Sequence, residues 1–128
     1  IVNDISERSW QKDRGGQWVK GKSIAGPCGP ILVTKDEIKN INDLNLLLNV
    51  NEEKRQSGNT SRMIFNFNFL ISHISQFMTL HPGTIITTGT PAGTAMEMDR
   101  PRFLQVGDKL NLRVDCLGEQ NHIVTAES

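Results

Sequence analysis

Asp4, Arg8 and Gln11 lie close together in the run Asn3-Asp4-Ile5-Ser6-Glu7-Arg8-Ser9-Trp10-Gln11. If a helix opens at Ser6, Arg8 and Gln11 stand three apart and share a face, with Asp4 just before the entrance. A carboxylate beside a guanidinium and a carboxamide could hold a hard cation and grip an oxyanion. On periodicity alone the plainer reading has the stronger claim: a surface helix with acidic residues set for its dipole. A second cluster is Arg14-Gly15-Gly16-Gln17-Trp18-Val19-Lys20-Gly21-Lys22-Ser23. Its glycines let backbone approach a ligand and aim a lysine ammonium. Its last eight letters also fit a phosphate loop, but such a loop must join a strand to a long helix. Here the run leads into Gly26-Pro27 and Gly29-Pro30, which cannot open one, so nucleotide binding carries little weight. A third cluster, Thr87-Thr88-Gly89-Thr90-Pro91-Ala92-Gly93-Thr94, offers hydroxyls and open amides suited to a carboxylate. It reads equally as a tight turn with solvated threonines.

Other reactive types are unpromising. His73, His81 and His122 have no ligand partner at helical spacing, there is no Tyr, and neither cysteine has an electropositive sequence neighbour to activate it.

Short segments between Gly and Pro clusters must position these residues, the rhythm of a mainly β domain. Residues 31–34, 44–50 and 84–88 read as strands. Residues 109–115 alternate, with Leu110, Leu112 and Val114 facing inward, and 122–125 can pair back across a turn near Gly118. One long helix is predicted from Phe67, Leu70, Ile71, Ile74, Phe77 and Met78, with Asn66 as its cap and Pro82-Gly83 as its stop. A shorter helix starts at Ser6.

The 128 residues carry 14 Lys+Arg against 14 Asp+Glu, and a formal charge of zero argues against a nucleic-acid partner. No apolar stretch approaches the roughly 20 residues of a spanning helix, so no membrane is expected. Cys28 and Cys116 could form one disulfide, but two buried free thiols are the favoured expectation. With no signal peptide visible, the expected compartment is the cytoplasm.

Taken together, these stretches resemble the fumarylacetoacetate hydrolase family. The resemblance is carried by Asn3-Asp4-Ile5-Ser6-Glu7-Arg8 with Trp10-Gln11, by Gly16-Gln17-Trp18-Val19-Lys20-Gly21-Lys22-Ser23, and by Gly29-Pro30-Ile31-Leu32-Val33-Thr34. It continues through Arg55-Gln56 with Gly58-Asn59-Thr60, Met63-Ile64-Phe65, Thr88-Gly89-Thr90-Pro91-Ala92-Gly93 and Gly107-Asp108. The look is closest to the branch labelled ureidoglycolate lyase or 2-hydroxyhepta-2,4-diene-1,7-dioate isomerase. The resemblance implies a mixed, mainly β, rolled sandwich, usually dimeric, and a Mg²⁺ or Mn²⁺ enzyme acting on C–C bonds of small 2-oxo acids or 1,3-dicarbonyl compounds. Isomerisation, decarboxylation and a truncated, non-catalytic dimerisation module are its alternatives. By the same resemblance Asp4 is a metal ligand. Arg8 and Gln11 point at substrate oxygens, Lys22 stabilises the enolate, and Thr90 with Gly89 holds the substrate carboxylate.

The resemblance also implies a Glu-x-Glu pair and a His-and-Glu lid that these residues lack. Glu52-Glu53 and Glu97-Met98-Asp99 do not replace them. Residues 1–128 therefore read as part of a catalytic domain, inactive or nearly so alone. The expected partners are a second copy or a polypeptide supplying the missing amino-terminal half. Two positions depart locally: Glu52 and Cys116 stand where glycine is usual.

Overall fold

A computed structural model of the protein describes residues 1–16, 21–22 and 26–126. Its centre is one antiparallel sheet of four strands: β1 (Asn45–Val50), β2 (Glu53–Asn59), β3 (Lys109–Val114) and β4 (Gly118–Ile123). They lie in the order β2-β1-β3-β4. Each outer pair is a hairpin, and β1 pairs with β3 in the middle, setting Leu46, Leu48 and Val50 opposite Val114, Leu112 and Leu110. The alternation of β3 decides which face is dry: Leu110, Leu112 and Val114 are buried. Val50, Leu110 and Leu112 form the core cluster, with Ile1, Leu48, Leu104 and Val124 packed against it. Burying a side chain of this size contributes about 1.5–3 kcal/mol.

Both hairpins turn through left-handed backbone. Asn51 and Glu52 have φ of 50° and 69°, and Cys116 has φ of 62°. Two successive positive φ values are the signature of the tight hairpin turn that favours Asn-Gly. Glutamate at the second position and cysteine in the other turn carry a Cβ where glycine has none. The two departures noted in the sequence therefore fall at strained turns.

Several expectations need correction. Strand β2 went unrecognised because Glu53-Lys54-Arg55-Gln56-Ser57-Gly58-Asn59 has no apolar alternation to betray it; it is held by register with β1. Residues 31–34 and 84–88 join no ladder. Their β-branched composition suits an extended chain, but no strand pairs with them among the described residues. The final strand begins at Gly118 rather than His122, and the turn precedes it. The short helix α1 is Arg8–Lys12, capped by Glu7 rather than Ser6: the Glu7 carboxylate accepts from Ser9 N and Trp10 N. Those two bonds and the one from Ser9 Oγ hold the Glu7 carboxyl below its usual range, the Ser9 hydroxyl contributing most. The long helix α2 is Phe67–Ser75, capped by Asn66 as expected. It stops short of the proline because Gln76, Phe77 and Met78 only close its last turn onto His73 and Ile74. None of its residues is buried. Phe65, Phe69 and His73 stack along its surface with ring centroids 4.7 and 5.8 Å apart, and Phe77 meets His73 edge-on at 5.1 Å. Both cysteines are free, as expected, but exposed rather than buried, Cys116 lying in a turn. Among the described residues no helix is long and apolar enough to cross a membrane.

Candidate functional site

The sheet carries the amino-terminal segment on its edge. Val2 bridges Cys28, Asn3 N donates to Pro27 O at 3.0 Å, and Gly29 N to Ile1 O at 3.0 Å. Gln120, buried on β4, donates to both Ile1 O and Gly29 O at 3.1 and 2.8 Å. A buried amide satisfied by two backbone acceptors fixes where the chain passes, and Asp4 follows directly. Glu7 N then bonds Gly21 O at 2.8 Å. A Cβ on Gly21 would come within 2.9 Å of Gln11 Cγ, so glycine is what lets this backbone close on α1. That approach delivers Lys22, whose Nζ lies 2.9 Å from Asp4 Oδ1. Both side chains are nearly half exposed, at 41% and 48%. Arg8 and Gln11 meet as their spacing requires, Arg8 Nη1 donating to Gln11 Oε1 at 2.6 Å. Gln11 is buried at 3% exposure, behind Arg8. Most of the 16–23 run, residues 17–20 and Ser23, lies outside the described residues.

The opposite wall is the loop 89–94. It leaves no slack against β2. A Cβ on Gly93 would sit 2.0 Å from Arg55 O, at a φ of +105°, and one on Gly58 would sit 2.8 Å from Pro91 Cβ. Glu97 clasps the loop from behind, its carboxylate accepting from Gly93 N at 2.6 Å and Thr94 N at 2.8 Å. The amides of Thr94 and Gly93 hold the Glu97 carboxyl below its ordinary range. Gln56 reaches from β2 to Thr90 Oγ1 and Pro91 O.

Between the two walls runs an open trough of about 950 Å³. Asp4, Arg8, Lys22, Gly89 and Thr90 all line it, with Gln56; Gln11 stands behind Arg8, outside the lining. Three sequence clusters separated by as much as the 4–90 span thus share one cavity. Its chemistry combines two cations, Lys22 and Arg8, with the Asp4 carboxylate that pairs with Lys22 and a loop that offers a hydroxyl. Such a surface can hold a carboxylate and stabilise negative charge on a neighbouring oxygen.

The donor set does not fit a divalent cation by itself. Among the described residues no three His, Cys, Asp or Glu side chains come together. Asp4 is a single carboxylate already engaged by Lys22, whereas Mg²⁺ takes near-octahedral oxygen ligation. Sequence reasoning passed over Gln56 and Glu97 as builders of the loop wall. Gln56 was visible only as a letter in a resemblance, and Glu97 only as a failed metal pair. Thr94 followed three residues later by Glu97 has the capping-box spacing, the local signal that could have exposed Glu97's role.

Comparison with known proteins gives consistent matches. A sequence profile described as the carboxyl-terminal region of fumarylacetoacetate hydrolase matches residues 1–125. A protein of Burkholderia cenocepacia with a provisional hydrolase name is 49% identical over 123 residues, covering 94% of this chain and 44% of its own. Fumarylacetoacetate hydrolase from the psychrophile Exiguobacterium antarcticum superposes with a TM-score of 0.92 at 36% identity, over 99% of this chain and 46% of that one. Maleylpyruvate hydrolase from Sphingobium sp. SYK-6, solved with manganese(II) and pyruvate, gives 0.75 at 32% identity, over 84% of this chain and 39% of that one. The chain thus spans under half the length of these relatives.

Proposed function

Since the chain belongs to the fumarylacetoacetate hydrolase family, we propose that it contributes one side of the active site of a metal-dependent hydrolase or lyase. The enzyme acts on C–C bonds of small 2-oxo acids or 1,3-dicarbonyl compounds. The observation that carries this reading is the trough itself, in which the Asp4–Lys22 pair and Thr90 share one cavity. Thr90, with the open backbone at Gly89, takes the substrate carboxylate. Lys22 and Arg8 face the oxygen on which an enolate charge gathers, acting as preorganised cations do in an oxyanion site. Gln11 orients Arg8 through the 2.6 Å bond to its carboxamide. Asp4 keeps the Lys22 ammonium aimed into the trough and would be one ligand of a Mg²⁺ or Mn²⁺ ion. The other ligands would come from a polypeptide equivalent to the rest of the relatives' length, and a second copy of the chain is the expected dimer partner. The manganese and pyruvate bound to maleylpyruvate hydrolase support both the ion and the oxo-acid class. When bound, the ion supplies Lewis acidity toward the oxo group. The expected setting is the cytoplasm.

Titration calorimetry with oxalate, an enolate mimic that the trough's own cations can meet, tests this. Binding is expected, weakened at least about tenfold by Lys22→Ala or Arg8→Ala, the loss of one charge-assisted contact. Unchanged binding in both variants would remove the site assignment. A second reading, a non-catalytic dimerisation module, is favoured by exposed rings on α2 and just past its end, with Phe69 at 47% and Phe77 at 77% exposure. A wild-type protein that stays silent to oxalate while self-associating would decide for it.

A further inference from the structure

Gln56 sits on β2, half-buried, with its carboxamide turned toward the loop 89–94. Its Nε2 lies 2.7 Å from Pro91 O and 3.0 Å from Thr90 Oγ1. A backbone carbonyl only accepts, so the 2.7 Å contact fixes which end of the amide faces the loop. The amide nitrogen has two hydrogens. One goes to Pro91 O, and the other goes to the Thr90 oxygen.

Thr90 Oγ1 is therefore an acceptor toward Gln56, and its own hydroxyl hydrogen must point elsewhere. Thr90 lines the trough, and among the described residues its hydroxyl donates to no other group. A hydroxyl can donate or accept, so a lone threonine beside a ligand does not discriminate between the two. A threonine whose oxygen is already receiving a hydrogen bond presents itself as a donor. A carboxylate is acceptor-only when ionised, and a donor is what it requires.

Resting on the function proposed above, we infer that Gln56 is a positioning residue for substrate recognition. By donating to Thr90 Oγ1 and Pro91 O it polarises the Thr90 hydroxyl outward, and so sets the site's preference for a carboxylate over its neutral amide. The backbone supports this division of labour. Gly93 and Gly58 permit the loop to lie directly on β2, and Glu97 satisfies the amides of Gly93 and Thr94. The loop's course is thereby held by several contacts that Gln56 does not make, and the orientation of the Thr90 hydroxyl is the contribution that Gln56 alone supplies.

The test compares pyruvate with pyruvamide, which differ in whether the end group is acceptor-only, by titration calorimetry. In the wild type pyruvate is expected to bind more tightly. Gln56→Met keeps the side chain's length and removes both donors. It should weaken pyruvate binding about tenfold and shrink the pyruvate-to-pyruvamide preference by a similar factor, the scale of one hydrogen bond to a charged group. The preference is a ratio within one sample, so a variant that folds only in part still reports it. Thr90→Val should lose the same preference, and adding Gln56→Met to it should change the ratio no further, because the two residues act as one unit. An unchanged ratio in Gln56→Met, or equal further losses in the double variant, would overturn the inference while leaving the site intact. Absence of pyruvate and oxalate binding in the wild type would instead overturn the functional reading, and this inference with it.

Discussion

The two walls of the trough are built on opposite physical plans. The loop 89–94 is set by exclusion: backbone meets backbone so closely that the Cβ of any other residue at position 93 would overlap Arg55 O. The backbones of Asp4 and Lys22 are placed by hydrogen bonds and by the close approach at Gly21, but their charged groups are joined by a single ion pair between two half-exposed side chains. Steric fit in a packed interior is steep and unforgiving, whereas a solvated ion pair is shallow and screened. The contrast suggests a rigid shelf that defines the ligand's pose, opposed by charged groups free to follow the charge that develops on it.

The largest expected effect comes from breaking the shelf. Gly93→Ala should cost about 3 kcal/mol of stability, the upper part of the range for overpacking, measurable by urea unfolding. A loss under about 1 kcal/mol would mean the loop can lift off β2, and the contrast would fail. Next comes the clasp behind it. The folded pKa of Glu97 lies below its ordinary 4.5 because Thr94 N and Gly93 N bond its charged form. A depressed carboxyl contributes stability that is fully present above about pH 4.5 and is lost as pH falls through the lower folded value. The Gly93 and Thr94 amide resonances should therefore titrate with a midpoint below 4.5 in NMR spectra, and Glu97→Gln should abolish the titration. A midpoint at or above 4.5 would contradict the clasp.

The turns of the sheet that carries both walls give a smaller effect, of opposite sign. Glu52→Gly and Cys116→Gly each relieve a non-glycine residue at positive φ and should raise stability by about 0.5–1 kcal/mol. Either substitution lowering the thermal midpoint would show that its side chain holds something besides the turn. The smallest effect is reserved for the other wall. Lys22→Met should shift the unfolding free energy by less than about 1 kcal/mol despite its expected loss of oxalate binding. A shift as large as that of Gly93→Ala would erase the difference between the walls.

Much of this was legible in the letters. The β3 alternation of Leu110, Leu112 and Val114 predicted the buried face, and the Arg8–Gln11 spacing predicted a contact that the fold makes. Strand β2 was not legible. Its polar sequence carries no period, and only its pairing with β1 gives it a ladder. The apolar stripe of α2 was read correctly as helical, yet periodicity says only that a face exists, not that anything covers it. The extended segments at 31–34 and 84–88 teach the same limit, since composition favours extension while a strand needs a neighbour.

Sequence alone determined the local facts: which residues can cap, which can alternate, where glycine is wanted and which side chains carry charge. Those depend on interactions within a few residues, which the order of letters specifies directly. Only the tertiary structure decided that Asp4, Lys22 and Thr90 would share a trough, and that Gln56 and Glu97 would hold its far wall. Those outcomes depend on the β1–β3 pairing that closes the sheet and on the approach of loop to strand. Such contacts join residues distant along the chain, and they follow from the register and packing of the whole fold.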